Sequence, residues 1–167
     1  ALIFGFALIV RLALLWASPD PMVGKTYAVI ASNILSGNGY SASIEAPFEP
    51  TVSRGPVYPV VLAAAWSIGG KSIRVAQCVG ILLDLLTVAI VLWLAAHWLN
   101  WIGVMSAGLL YAALPFAAGQ SVQVMAETTT GALLMLGLLL LAQCVSDDRP
   151  LPPARLIFGG VAWGAAT

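Results

Sequence analysis

Residues 75–98, VAQCVGILLDLLTVAIVLWLAAHW, make an apolar run broken by a single carboxylate, Asp84. A helix needs ~20 apolar residues to cross the hydrocarbon core of a bilayer, and this run supplies them. Trp93 and Trp98 stand near its end, where indoles favour the lipid–water boundary. A helix that is apolar all round must be covered by protein or by lipid. The chain has little polar material with which to dissolve such a bundle. Only 8% of its 167 residues are charged and 60% are hydrophobic, whereas a soluble domain carries about 25% charged residues. The expected solvent is therefore lipid, and the expected fold class is an all-α, polytopic membrane protein. Net charge is zero, so no basic footprint for a nucleic-acid partner is present.

The other apolar runs extend this pattern. Crossings are expected at about 1–17, 75–98, 101–115, 123–145 and 156 onward, with a long loop over 18–74. Ser18-Pro19-Asp20-Pro21 breaks the first helix. The chain starts and stops inside apolar runs, as an N-terminal part of a longer membrane protein would. No basic stretch or small-residue cleavage site precedes the first run, so it does not read as a signal peptide. Within the loop, KTYAVIASNILS places Tyr27, Ile30, Ala31, Ile34 and Leu35 at helical spacing, and Gly37 follows as a helix stop. Such a helix lies in the membrane surface or packs on the protein's own loop. PVYPVVLAAAWSIGG is too short for a comfortable crossing and suits a re-entrant or surface-lying helix. Cys78 and Cys144 sit in apolar runs without a CxxC or Cys/His neighbour, and are expected to be small buried thiols.

The fate of 57–69 decides which residues can meet. If it stays at the surface, loop 18–74 and the turn 115–126 share one side. If it crosses, Glu127 faces the opposite side from Asp20 and Arg54. Positive-inside counting sets Lys25, Arg54, Lys71 and Arg74 on the loop side against Arg149 and Arg155, which would put the loop in the cytoplasm. A loop that binds phosphate would break that rule. Arg11 and Asp84 both fall inside crossings. At ~1.5 Å per residue they lie roughly 10–15 Å below the same face, and they are expected to pair. His97, beside tryptophans at a span end, is expected to be interfacial rather than a metal ligand.

The order of short motifs is distinctive. Arg11 and an aspartate are followed by Tyr27, Ala31 and Leu35, then SGNGYS (36–41), RGPVYP (54–59) and PFAAGQSVQVMAETT (115–129). This order resembles the integral-membrane glycosyltransferases of the GT-C class, most closely the protein mannosyltransferase and aminoarabinose transferase group. It spans nearly all of this chain and about the first third of such an enzyme. The resemblance implies transfer of a sugar from a polyprenyl phosphate to a lipid, glycan or protein acceptor at the outer face of the inner membrane, with inversion. It implies that loop 18–74 is extracytoplasmic and carries surface helices.

The resemblance also implies roles for residues. A loop aspartate acts as catalytic base, and a second acidic residue, Glu127, starts the fourth span from the same side. In the family the loop aspartate stands four residues before the tyrosine. Here that place is Val23, and the nearest aspartate, Asp20, is the candidate base, with Glu45, Glu49 or an inactive site as alternatives. Arg54 is the candidate clamp on the donor phosphate, because a guanidinium offers paired donors to phosphate oxygens. Lys25 and Tyr58 are candidate helpers. Some members of the class use a divalent metal and others none. A transporter or flippase of a lipid-linked or small solute also fits intramembrane charges and broken helices.

Overall fold

The computed structural model describes residues 2–18, 24–145 and 153–166, with the side chains of 143–145 left undescribed. Asp20, Val23 and Arg149 lie outside the described residues, as does the side chain of Cys144. Eight helices are described: α1 (Leu2–Ala17), α2 (Lys25–Leu35), α3 (Val57–Gly69), α4 (Ile73–Trp98), α5 (Trp101–Ala113), α6 (Pro115–Ser121), α7 (Glu127–Val145) and α8 (Pro153–Ala166). No strand occurs among the described residues, so the chain is all-α. Among the described residues one helix, α4, with 26 residues, is long and apolar enough on its own to cross a membrane. The pair α5 and α6 passes the same test when counted as one bent span.

Three contact levels fix the helix directions. Near one end, Ile3 of α1 and Leu92 of α4 close on Gly108 of α5. Further along, Arg11 meets Asp84 and the Ala112 carbonyl. At the other end, Arg74 donates to the Leu15 carbonyl at 2.7 Å. There Gln77 also donates to the carbonyls of Ser18 (2.9 Å) and Val122 (3.0 Å). Helix α1 and the α5–α6 pair therefore run together, and α4 runs against them. Ile90 and Leu94 of α4 pack on Ala142, so α7 runs parallel to α4. Helix α8 returns along α7, with Trp163 donating to the Leu134 carbonyl and Thr130 donating to the Ala166 carbonyl.

The bend between α5 and α6 departs from the single crossing expected at about 101–115. The chain turns by 56° there and a further helix follows. Pro115 ends one helix by lacking an N–H, and its fixed φ suits the first turn of the next. The following turn presses against α4 at Gly80, where an added Cβ would run into the Ser121 carbonyl oxygen. That oxygen belongs to backbone and cannot swing aside. Gly80→Ala is expected to destabilise the bundle by about 1–3 kcal/mol, read as a lowered melting temperature in detergent.

Helix α3 occupies the expected range, Val57–Gly69. Its buried face of Tyr58, Leu62, Ala63 and Trp66 packs on Ala31 of α2, on Ala76 at the start of α4, and on Val124. Trp66 donates to the carbonyl of Ser72, the N-cap of α4, at 2.9 Å. Tyr58, at the other end of α3, lies beside Glu127, the first residue of α7. Both ends of α3 thus sit at the same end of the bundle.

Helix α2 differs in one respect from its expected stripe. Leu35 is exposed and Asn33 is buried in its place. The Asn33 amide donates to the carbonyls of Ser41 (2.8 Å) and Ser43 (2.9 Å), which fastens the SGNGYS loop against the helix. Gly37, at φ 77, ends the helix as expected, with its N–H bonded to the Ile34 carbonyl and that of Asn38 bonded to the Asn33 carbonyl. The expectation of buried thiols is corrected at Cys78, which is exposed. It falls on the outward face of α4 beside Leu82 and Leu86, where a small apolar thiol is as well suited to lipid as to a core.

Candidate functional site

Three separate segments, with α8 as a fourth, converge at the α3 end of the bundle. Tyr27 from α2, Gly55 before α3, Tyr58 on α3 and Glu127 with Thr129 on α7 line one cavity of about 450 Å³. The end of α8 closes its far wall through Ala165 and Ala166. The rings of Tyr27 and Tyr58 meet edge to face at 5.1 Å between centroids. The Arg54 guanidinium stands over the Tyr27 ring, 5.2 Å from its centroid.

The RGPVYP segment is held from outside α3. Tyr40, in the SGNGYS loop, donates its hydroxyl to the carbonyls of Arg54 (2.9 Å) and Gly55 (3.0 Å). The Tyr40 backbone carbonyl accepts from Thr51 at 3.0 Å. The two motifs are thus one unit: Asn33 fastens the first to α2, and Tyr40 fastens the second to the first. Pro56 then stands as the N-cap of α3, so the backbone around Arg54 and Gly55 has little freedom. The Arg54 side chain itself remains exposed.

Tyr58, a candidate helper at the donor phosphate, presents its hydroxyl from a buried position. It is 3% exposed, and its hydroxyl has no hydrogen-bond partner among the described residues. Burial pushes its pKa up, and the neighbouring Tyr27 and Glu127 add to the shift. The group stays a neutral phenol and keeps a proton to donate. Thr129, 4% exposed, also has an unpartnered hydroxyl. A buried hydroxyl without a partner costs about 1–3 kcal/mol. The cavity therefore has two polar groups that a hydroxyl-bearing ligand would satisfy. Glu127 is the one carboxylate lining it among the described residues, and it is solvent-exposed.

The expected residues are only partly brought together. Arg54, Tyr58 and Glu127 are brought to the same cavity or its rim. Lys25 is not with them: it lines a separate groove with Lys71, because it stands half a turn from Tyr27 on α2 and points elsewhere. The alternative acids Glu45 and Glu49 are exposed and do not line the cavity. Arg11 and Asp84 form an ion pair at 2.7 Å, both buried, with the Tyr111 hydroxyl donating to the second carboxylate oxygen at 3.1 Å. That pair is deep in the bundle and does not line the cavity. His97 is exposed and stacks on Trp93 at 5.3 Å. No three His, Cys, Asp or Glu side chains cluster among the described residues, so nothing in that set fits a metal centre.

Thr129 in the cavity wall and Tyr40 behind Arg54 were not among the expected site residues. A threonine in a run of three and a tyrosine in a glycine-rich loop carry no chemical signal in one sequence, since their importance comes from what they face. No family model, curated protein or solved structure matches this chain.

Proposed function

We propose that the chain is the N-terminal part of a multi-pass, inner-membrane glycosyltransferase. It moves a sugar from a polyprenyl phosphate to a hydroxyl-bearing acceptor at the outer face, with inversion. The observation that supports this reading is the convergence of Arg54, Tyr58 and Glu127 on one cavity at a single end of the bundle. Glu127 stands far along the chain from Arg54 and Tyr58, and the three come from two of the motifs on which the resemblance rests.

Such a reaction has definite requirements. A carboxylate takes the acceptor's proton as its oxygen attacks the anomeric carbon. The bond from that carbon to the phosphate oxygen breaks, and the electron pair leaves with the polyprenyl phosphate. A cation offsets the charge gathering on the phosphate. Arg54 is exposed at the cavity rim and suits that last role, with Tyr40 holding its backbone in place. Tyr58 and Thr129 supply hydroxyls for the sugar or the acceptor inside. Asp20 is the proposed base. That assignment rests on the resemblance alone, because Asp20 lies outside the described residues.

The test is direct. The full-length protein, purified with a polyprenyl-phosphate sugar and an acceptor, is expected to transfer the sugar. Arg54→Ala is expected to lower turnover by about 10- to 100-fold, the worth of a charge-assisted hydrogen bond. No transfer by the wild type, or transfer unchanged in Arg54→Ala, would sink the proposal.

A further inference from the structure

Lys25 and Lys71 lie apart from the proposed sugar site and line a groove of about 260 Å³ between the start of α2 and the start of α4. No residue lines both this groove and the cavity beside Glu127. Apart from the two lysines its walls are apolar or small, with Ala28, Trp66, Ile73 and Val124 among them, and no carboxylate lines it among the described residues. Past Lys71 and Trp66 a second groove of about 300 Å³ continues along α2 to Ile44. Lys71 stands where the two meet and donates to the Ser32 hydroxyl. Neither lysine has an ion-pair partner among the described residues.

We propose that this double groove binds an anionic phospholipid, with its phosphate between Lys25 and Lys71 and an acyl chain along the Trp66 and Ile73 wall. Charge complementarity selects the headgroup: two ammonium groups over a groove with no acid among the described residues give a net positive site. Position selects a lipid over a soluble anion. The groove opens where α4, the best candidate span, begins, and the exposed side chains of Ile68 and Ile73 flank that point. Trp66 is held by its bond to the Ser72 carbonyl, so the wall is rigid. The inference rests on the membrane placement of α4 and not on sugar transfer.

The experiment measures lipid retention by the delipidated full chain in detergent, using native mass spectrometry with added phosphatidylglycerol or phosphatidylcholine. The wild type is expected to hold phosphatidylglycerol in preference to phosphatidylcholine. Lys25→Gln and Lys71→Gln are each expected to weaken retention about fivefold, the worth of one lysine near an anionic surface. Arg replacements at both positions are expected to restore it, which separates lost charge from lost folding. Arg54→Gln is expected to retain lipid like the wild type, so failure of the lipid site and failure of the sugar site are distinguishable. Equal retention of both lipids, or unchanged retention in both Gln variants, overturns the proposal. Displacement of phosphatidylglycerol by inorganic phosphate at equal concentration also overturns it, because the site would then be for a free anion.

Discussion

Asp84→Ala is expected to destabilise the protein by about 3–5 kcal/mol, because it strands a buried cation. The Arg11 guanidinium is fully buried and gives its Nε–H to Asp84 at 2.7 Å. Its remaining partners are the carbonyls of Ala7 and Ala112, and its Nη2 has none among the described residues. Remove the carboxylate, and a full positive charge faces only neutral dipoles. The Tyr111 hydroxyl loses its acceptor in the same step. The double variant Arg11→Met/Asp84→Leu is expected to recover most of the loss, since apolar side chains of similar size can replace a buried pair at little cost. Unfolding in detergent, by heat or denaturant, measures both. If Asp84→Ala unfolds like the wild type, water reaches this pair and it does not lock α1, α4 and α5 together.

The second large effect concerns the two acids assigned to the reaction. Asp20→Asn is expected to lower turnover by about 10²- to 10⁴-fold, the usual worth of a general base. Glu127→Gln keeps the shape of the side chain and removes its charge. It is expected to lower turnover about 100-fold through misplaced acceptor, with a raised acceptor KM. Because Glu127 is exposed and forms no ion pair among the described residues, its replacement is expected to leave the melting temperature near that of the wild type. The two variants divide the roles by pH. Loss of a base removes the acidic limb of the rate profile, while loss of a positioning group lowers the profile without changing its shape. A full loss in Glu127→Gln together with wild-type turnover in Asp20→Asn would move the base to Glu127.

Much of the architecture was legible in one sequence. The limits of α3 follow from Pro56 before it and the Gly69-Gly70 pair that ends it. Those of α4 follow from Ser72, whose hydroxyl accepts from the Arg74 N–H as an N-cap. The pairing of Arg11 with Asp84 was legible for a harsher reason. Two lone charges at the same depth in apolar runs have few other ways to be buried. What was not legible is which way a helix faces. Lys25 and Tyr27 are near neighbours in sequence, yet one lines the groove shared with Lys71 and the other the cavity. Asn33 reads as a polar face and is buried by the loop that follows it.

Local chemistry in the chain set where helices start and stop, which segments are apolar, and which charges need partners. These are decided by neighbouring residues through φ restriction, N–H supply and desolvation. Only tertiary structure decided that Tyr40 would hold Arg54 and that Tyr58 and Thr129 would be buried without hydrogen-bond partners among the described residues. It also decided that Lys25 would be drawn away toward Lys71. Those outcomes depend on the rotation and register of packed helices, where small energies summed over many side chains choose one arrangement and no single residue records the choice.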